Sequence, residues 1–440
     1  MADKNHKKNI KRINFLYNIN MRIFRMAPSP TGNMHLGNAR TAIVNYYASL
    51  QIKDRGEASD FFLRIDDTDA GRDKEEYEQN IYKDLEWLKI TYSKVIKQSE
   101  RTSIYEEYFQ KLINEKRVYE CFETEEELDT DTIYNRKALY LSADEKVQLR
   151  KIRPSYWRFF MLHNDYVIKD LVMGTIKTKR SWSDPIIKRP QTDKAFTYNF
   201  TSAIDDMLMG VTDVIRGQEH LNNAIIQQEI IDCFSHHKIQ FAHLPVIITP
   251  DGQKLSKRLG DLSLQTLKKE GYHCSSVISM CLSLGTNKPP LITSDLKALT
   301  QYFDLKSFSR SSPKFEKKNI QLLNTKILKQ LRPEDLKELG FDEEIWTIIK
   351  NNINNLEDYY KWQQILTYPY IYKDFPQKDL LKKIYKDSQW DFTSIKDMAV
   401  KKKFLISLHE SLTGQSSGPE LEKILNYKIK FPAIRDILLS

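Results

Sequence analysis

The stretch Met21-Arg22-Ile23-Phe24-Arg25-Met26-Ala27-Pro28-Ser29-Pro30-Thr31-Gly32-Asn33-Met34-His35-Leu36-Gly37-Asn38 decides the architecture. A short apolar run ends in the turn formers Pro28 to Gly32, and residues 39–48 then carry a helical pattern. A strand that feeds a turn-rich loop and opens a helix is the first unit of a parallel α/β sheet. Free backbone N–H groups at such a helix start favour a phosphate, and Gly32 and Gly37 let a nucleotide approach the main chain closely. His35 can donate to a phosphate oxygen as negative charge builds there. A single histidine before a helix is nonetheless more often a cap or a packed residue.

Working outward, residues 61–65 read as a second strand closed by the acidic loop Asp66-Asp67-Thr68-Asp69, with helical periods over 77–88 and 103–114. Residues 119–195 interrupt this rhythm with Glu- and Lys-rich helical pieces and short strands at 156–161 and 186–188. Alternation resumes at 196–204 and 211–215, residues 225–234 read as a helix, and 244–248 as the next strand. From 311 onward the apolar spacing of Phe315, Ile320, Leu323, Ile327 and Leu331 is helical, with Pro313 and Pro419 expected at first helical positions. The expected fold is an α/β Rossmann-like catalytic domain, split by an inserted α/β domain and followed by an all-α region. Its boundaries are 21–118 and 196–245 for the two halves, 119–195 for the insertion, 246–310 for a helical linking segment and 311–440 for the all-helical part. Residues 1–20, basic and Asn-rich, read as a disordered extension, with Met21 as the expected native start.

Composition narrows the class. With 440 residues, 40% hydrophobic, 14 Gly and 15 Pro, the chain is neither collagen-like nor low-complexity. No run approaches the ~20 apolar residues of a membrane helix. Four cysteines without a CxxC pair argue against a disulfide scaffold and a Cys-based zinc site. These features predict a protein of a reducing, cytoplasmic compartment. The net charge of +9 is concentrated in residues 1–20 and 311–440, which suits a polyanion partner as well as a solvated lysine-rich surface.

A second cationic cluster, Lys254-Leu255-Ser256-Lys257-Arg258, follows the turn Pro250-Asp251-Gly252 and precedes Gly260. Three cations in five residues suit an electrostatic clamp on a polyphosphate. A solvated lysine loop is the plainer reading of either motif alone; two phosphate-facing loops at opposite ends of one α/β domain are harder to dismiss.

Together these stretches resemble the class I aminoacyl-tRNA synthetases, and specifically the bacterial-type glutamyl-tRNA synthetase family. His35-Leu36-Gly37-Asn38 looks like its HIGH element and Lys254-Leu255-Ser256-Lys257-Arg258 like its KMSKS element. The flanks add Arg25 to Gly32, Leu63 to Asp69, Gly210 to His220 and Leu412 to Pro419, so the resemblance covers nearly the whole chain.

It implies ATP-dependent formation of glutamyl-adenylate, then transfer of glutamate to tRNA(Glu), with tRNA(Gln) an open alternative acceptor. It further implies that His35, Lys254 and Lys257 are catalytic, and that Gly37, Asn38, Glu219, His220 and Ser256 join them around ATP. Arg25, Ala27, Ser29, Asp66, Tyr198 and Arg216 would hold L-glutamate, with Arg216 on its side-chain carboxylate and Asp66 on its ammonium. Mg²⁺ would arrive bound to ATP, no zinc is expected, and the protein would be a monomer. The insertion would bind the acceptor end and residues 311–440 the anticodon.

Three positions depart from the family pattern. Asp66 stands where glutamyl enzymes more often carry Glu, Ser202 where some relatives carry Asn, and residues 130–135 look shortened. Asp66 suggests a glutaminyl enzyme as the nearest rival; the helical C-terminal third speaks against it. A small-molecule nucleotidyltransferase would ordinarily lack the second cationic loop. A non-catalytic tRNA-binding paralogue fits poorly with an intact His35, Lys254, Lys257 and Arg216.

Overall fold

The computed structural model describes residues 21–439 apart from 69–70, 125, 129–132, 180–181, 191–195, 256–261, 374–376, 387–388, 391, 393–394 and 396–397. The expected extension 1–20, residues 130–132 of the shortened region 130–135, and Ser256 and Lys257 of the second cationic loop therefore lie outside the described residues. The chain divides into two compact units.

The first unit contains residues 21–266, 278–291 and 297–316 among those described. It is built on β1 (Arg22–Met26), α1 (Leu36–Asp54), β2 (Ser59–Ile65), α2 (Glu75–Trp87), β3 (Lys94–Lys97) and α3 (Thr102–Asn114). Next come β4 (Val118–Cys121), α4 (Ala143–Ile152), β5 (Tyr156–Phe159), β6 (Asp165–Asp170), β7 (Gly174–Lys179) and β8 (Ile186–Lys188). The domain then resumes with α5 (Tyr198–Leu208), β9 (Asp213–Gly217), α6 (Leu221–Asp232) and β10 (Gln240–Leu244). Seven strands form one sheet in the order β3-β2-β1-β9-β10-β6-β7. All its pairings are parallel except the β6–β7 hairpin. The sheet is covered by apolar side chains such as Ile23, Phe62, Phe200, Val214, Ile230 and Phe241, each worth roughly 1.5–3 kcal/mol of burial.

The order places the switch point between β1 and β9, because α1 carries the chain from β1 toward β2 while α6 carries it from β9 the other way to β10. The carboxyl ends of such a pair border a crevice, the usual binding site of an open α/β sheet.

Three sequence expectations are corrected here. The strand expected at 244–248 lies earlier, at Gln240–Leu244, because Pro245 has no N–H to give the ladder. The expected insertion 119–195 is not uniform. Its β4, β5 and β8 form a separate antiparallel sheet beside α4, whereas β6 extends the main sheet by pairing Asp170 with Phe241. The Lys-rich alternation of 165–179 had hidden an edge hairpin of that sheet. Pro313 opens no helix; Ile248 pairs with Lys314 in extended backbone, and the helix starts at Lys317.

Later in the chain come α7 (Leu264–Lys269), α8 (Cys274–Ser283), α9 (Leu296–Tyr302), α10 (Lys317–Leu328), α11 (Pro333–Leu339), α12 (Glu343–Ile349) and α13 (Glu357–Thr367). The chain ends with α14 (Lys378–Ile384), β11 (Tyr385–Lys386), β12 (Gln389–Trp390), α15 (Met398–Thr413), α16 (Leu421–Lys428) and α17 (Pro432–Leu439). The second unit takes in residues 267–277, 292–296 and 317 onward, around a core that includes Trp346, Tyr359, Phe404 and Leu425. Among its described residues the regular elements are helices apart from the two-residue antiparallel pair β11–β12, which corrects the expectation of an all-α region. Pro333 and Pro432, rather than Pro419, stand at first helical positions. Among the described residues no helix is long and apolar enough to cross a membrane.

Candidate active site

His35 starts a helix and lines a cleft. It is the N-cap of α1, and its Nδ1 accepts from the backbone N–H of Asn38 at 3.2 Å. An amide can only donate, so Nδ1 carries no proton and the neutral ring bears its hydrogen on Nε2. Burial lowers the pKa of His35, outweighing the nearby Glu219, and so favours this neutral donor. Gly37 makes the arrangement possible: a Cβ there would stand 2.9 Å from His35 Cε1 and 3.0 Å from Nδ1.

The second cationic loop reaches the same place. Ile248 pairs with Lys254 across a turn in which Gly252 adopts φ +83, a left-handed conformation that suits glycine. Beyond the loop, Ser263 bridges to His35 and the Leu264 amide donates to the Met34 carbonyl at 2.9 Å. A cleft of about 240 Å³ results, lined among others by His35, Gly37, Asn38, Gly217, Glu219 and Lys254. Of the expected nucleotide residues, His35, Gly37, Asn38, Glu219 and Lys254 thus line one cleft, with His220 immediately following Glu219. The His220 imidazole is pushed down to about 4, chiefly by burial and by the Arg216 charge.

The expected glutamate residues form two groups. In the first, Arg25 Nε and Nη2 each contact the Asp206 carboxylate at 3.2 Å, and Arg64, completely buried, donates to Asp206 at 2.6 Å. Arg64 also grips Asp66 at 2.6 and 3.1 Å and donates to the Ser202 hydroxyl at 2.9 Å. Burial pushes the Asp66 carboxyl up to about 6 against the pull of Arg64. Two guanidiniums thus meet two carboxylates, and the group is close to neutral. The Ala27–Thr31 loop is held to it by the Asp66 amide, which donates to Pro28 O at 3.0 Å; Ala27 is half-buried and Ser29 exposed.

The second group centres on Arg216, 4% exposed at the end of β9. Its Nη1 donates to Tyr198 Oη at 3.2 Å and to Gln227 Oε1 at 2.8 Å, its Nη2 to the His220 carbonyl at 3.2 Å, and its Nε to His243 Nε2 at 3.2 Å. Among the described residues it forms no salt bridge. A guanidinium has five N–H groups, so one on Nη2 is left over. Gln227 must turn its oxygen toward Arg216, which leaves its buried Nε2 without an acceptor. A buried cation and two spare donors constitute a receptor for an anionic oxygen.

A largely parallel α/β sheet whose histidine-capped helix and Lys254 loop border one cleft has a counterpart among known families. The model of the tRNA synthetases class I (E and Q) catalytic domain matches residues 22–330. The chain belongs to the class I tRNA synthetases. It is 35% identical over 437 residues to Glutamate--tRNA ligase 1 of Paracoccus denitrificans (strain Pd 1222), covering 91% of this chain and 97% of that one. It is also 35% identical over 432 residues to Glutamate--tRNA ligase 1 of Wolbachia sp. subsp. Brugia malayi (strain TRS), covering 91% and 96%. A crystal structure of a glutamate tRNA ligase from Elizabethkingia meningosepticum CCUG26117 in complex with its amino acid shares the fold. Its TM-score is 0.74 at 24% identity, over 95% of this chain and 98% of that one.

Reading the synthetase from its sequence missed Arg64, Asp206, Gln227, His243 and Asp170. A histidine inside the apolar run Phe241-Ala242-His243-Leu244 was the one local signal available; the others depend on contacts from 73 to 142 residues apart or on helix faces.

Proposed function

We propose that this synthetase is an ATP-dependent glutamate–tRNA ligase that forms glutamyl-adenylate and then esterifies tRNA(Glu). The observation that carries the amino-acid choice is Arg216, a buried guanidinium with no salt bridge among the described residues. A glutamate side chain supplies the missing negative charge, whereas glutamine would leave the cation buried and unpaired.

The reaction needs no protein nucleophile. The α-carboxylate of glutamate attacks the α-phosphate in line, a P–O bond to pyrophosphate breaks, and the leaving electron pair goes to pyrophosphate. His35 Nε2–H donates to a phosphate oxygen and Lys254 places its ammonium on the polyphosphate, so both act on charge that grows in the transition state. Lys257 joins them by its place in the motif. Glu219 and His220 border the nucleotide, and Mg²⁺ accompanies ATP as part of that substrate.

At the amino-acid end Tyr198, fixed by its contact with Arg216, forms a wall. Arg25, Ala27 and Ser29 lie along the same strand end. Asp66 takes the ammonium with lone pairs not used by Arg64. The bound adenylate is then attacked at its carbonyl carbon by a ribose hydroxyl of the tRNA 3′ end, with AMP leaving. Residues 119–195 receive that acceptor end and 311–440 read the anticodon, the protein acting as a monomer.

The test is charging of purified tRNA(Glu) and tRNA(Gln) transcripts with labelled glutamate, ATP and Mg²⁺. Charging of tRNA(Glu) alone marks a discriminating enzyme, and charging of both marks one that also feeds an amidation route. Charging of neither overturns the assignment.

A further inference from the structure

Behind Arg216 lies a buried pair of side chains. The Nε–H of Arg216 donates to His243 Nε2 at 3.2 Å, and on the far side of the ring His243 Nδ1 lies 2.7 Å from Asp170 Oδ2. The guanidinium can only donate, so Nε2 is the acceptor, Nδ1 bears the proton, and the Asp170 carboxylate receives it. His243 and the Asp170 side chain are fully buried.

The carboxylate is itself fixed from three more sides. Its Oδ1 accepts the backbone amides of Val172 at 2.9 Å and Met173 at 2.7 Å, and the His243 amide donates to it as well, at 3.1 Å from Oδ2. These contacts lie in the parallel pairing of β6 with β10, so the hairpin β6–β7 is linked to Arg216 through Asp170 and His243. The Nη groups of the guanidinium meet Tyr198, Gln227 and the His220 carbonyl, and His243 is the partner that Nε finds.

We propose that Asp170 and His243 are positioning residues for amino-acid selection: Asp170 fixes the tautomer of His243, and His243 fixes the rotation of Arg216 so that its spare Nη2–H points at the substrate's side-chain carboxylate. Neither residue touches substrate. The inference rests on the reading of Arg216 as the carboxylate partner.

Two amide substitutions separate the links of the chain. In His243→Asn the side-chain amide can still donate to Asp170 but no longer reaches Arg216; in His243→Gln the Oε1 stands where Nε2 was and still accepts from Arg216. Asp170→Asn presents an N–H₂ to Nδ1, which turns the tautomer round and sets two N–H groups of His243 and Arg216 against each other. In charging assays with the full-length protein, His243→Asn and Asp170→Asn should raise the KM for glutamate by about tenfold or more. His243→Gln should recover most of that loss. The KM for ATP and the thermal midpoint should change little in all three.

A glutamate KM unchanged in both His243→Asn and Asp170→Asn overturns the relay. So does an equal loss for ATP and glutamate, which marks a purely structural pair, or a His243→Gln variant as impaired as His243→Asn. Arg216→Lys assayed in parallel isolates the premise: unaltered glutamate use there removes the reading of Arg216 itself, whatever the relay variants do.

Discussion

The backbone amide of Leu264 donates to the carbonyl of Met34 at 2.9 Å, stitching the end of the second cationic loop to the residue before His35. Two loops more than two hundred residues apart in sequence therefore share one piece of main-chain pairing. A phosphate group bound between them meets donors whose spacing is set by backbone, which is what preorganised charge stabilisation requires.

Gly37→Ala tests that arrangement at its tightest point. The new Cβ would fall 2.9 Å from His35 Cε1, so the ring must leave its place. The kcat of charging should fall by about 10² while the KM for glutamate stays within about threefold. Steady-state kinetics with varied ATP and glutamate will show whether the loss is confined to kcat.

Arg216→Ala removes a buried guanidinium that, unlike those of Arg25 and Arg64, has no carboxylate partner among the described residues. The expected loss in kcat/KM for glutamate is on the order of 10³, the scale of breaking a buried charge pair, with the KM for ATP nearly unchanged. Equal losses for both substrates would mean that the variant is misfolded.

Asp206→Ala should act on stability instead. Its carboxylate is shared by Arg25 and Arg64, and without it two buried cations keep only Asp66 between them. Unfolding in denaturant should show a cost of about 3–5 kcal/mol. A change under about 1 kcal/mol would show that the cluster relaxes by admitting water.

Acid should destabilise the first unit. Burial lowers the pKa of His35, His220 and His243, so the folded chain refuses protons that the unfolded chain takes up near pH 6.5. Their contribution is present above about pH 6.5 and is lost as pH falls toward 4. Asp66, raised to about 6, runs the other way, because its folded form binds a proton before an unfolded carboxyl does. Three groups against one predict a falling thermal midpoint between pH 6.5 and 4.5, and a level or rising one would contradict it.

Lys428 gives the second unit an alkaline counterpart. Its side chain is fully buried and its Nζ donates to the carbonyls of Ile365 and Tyr368, both at 2.8 Å, where α13 ends. Burial pushes its pKa down to about 8. The folded form therefore gives up its proton before the unfolded chain does, and stability rises from about pH 8 to 10. Lys428→Met should abolish that rise and leave two helix-end carbonyls without a donor, costing about 2 kcal/mol at neutral pH. Thermal unfolding across that pH range, wild type against variant, is the measurement.

The parts of the synthetase that the sequence alone determined are those built from neighbours along the chain. The loop from Pro28 to Asn38 could be read because strand, turn formers, glycines and histidine follow one another in a few residues, and the cations from Lys254 to Arg258 for the same reason. Arg216 was legible too, through the motif around it. What only the tertiary structure decided is which charges are already spent. Arg25 lies 181 residues from Asp206, and His243 73 residues from Asp170, so no local period announces either contact. The same limit hid β6, whose lysine-rich alternation looks like solvated surface until β10 pairs with it. Sequence names the groups that can carry charge; the pairing of strands brings them together, spends Arg25 and Arg64 on Asp206 and Asp66, and leaves Arg216 without a carboxylate among the described residues, because a buried charge is paired wherever a carboxylate is within reach.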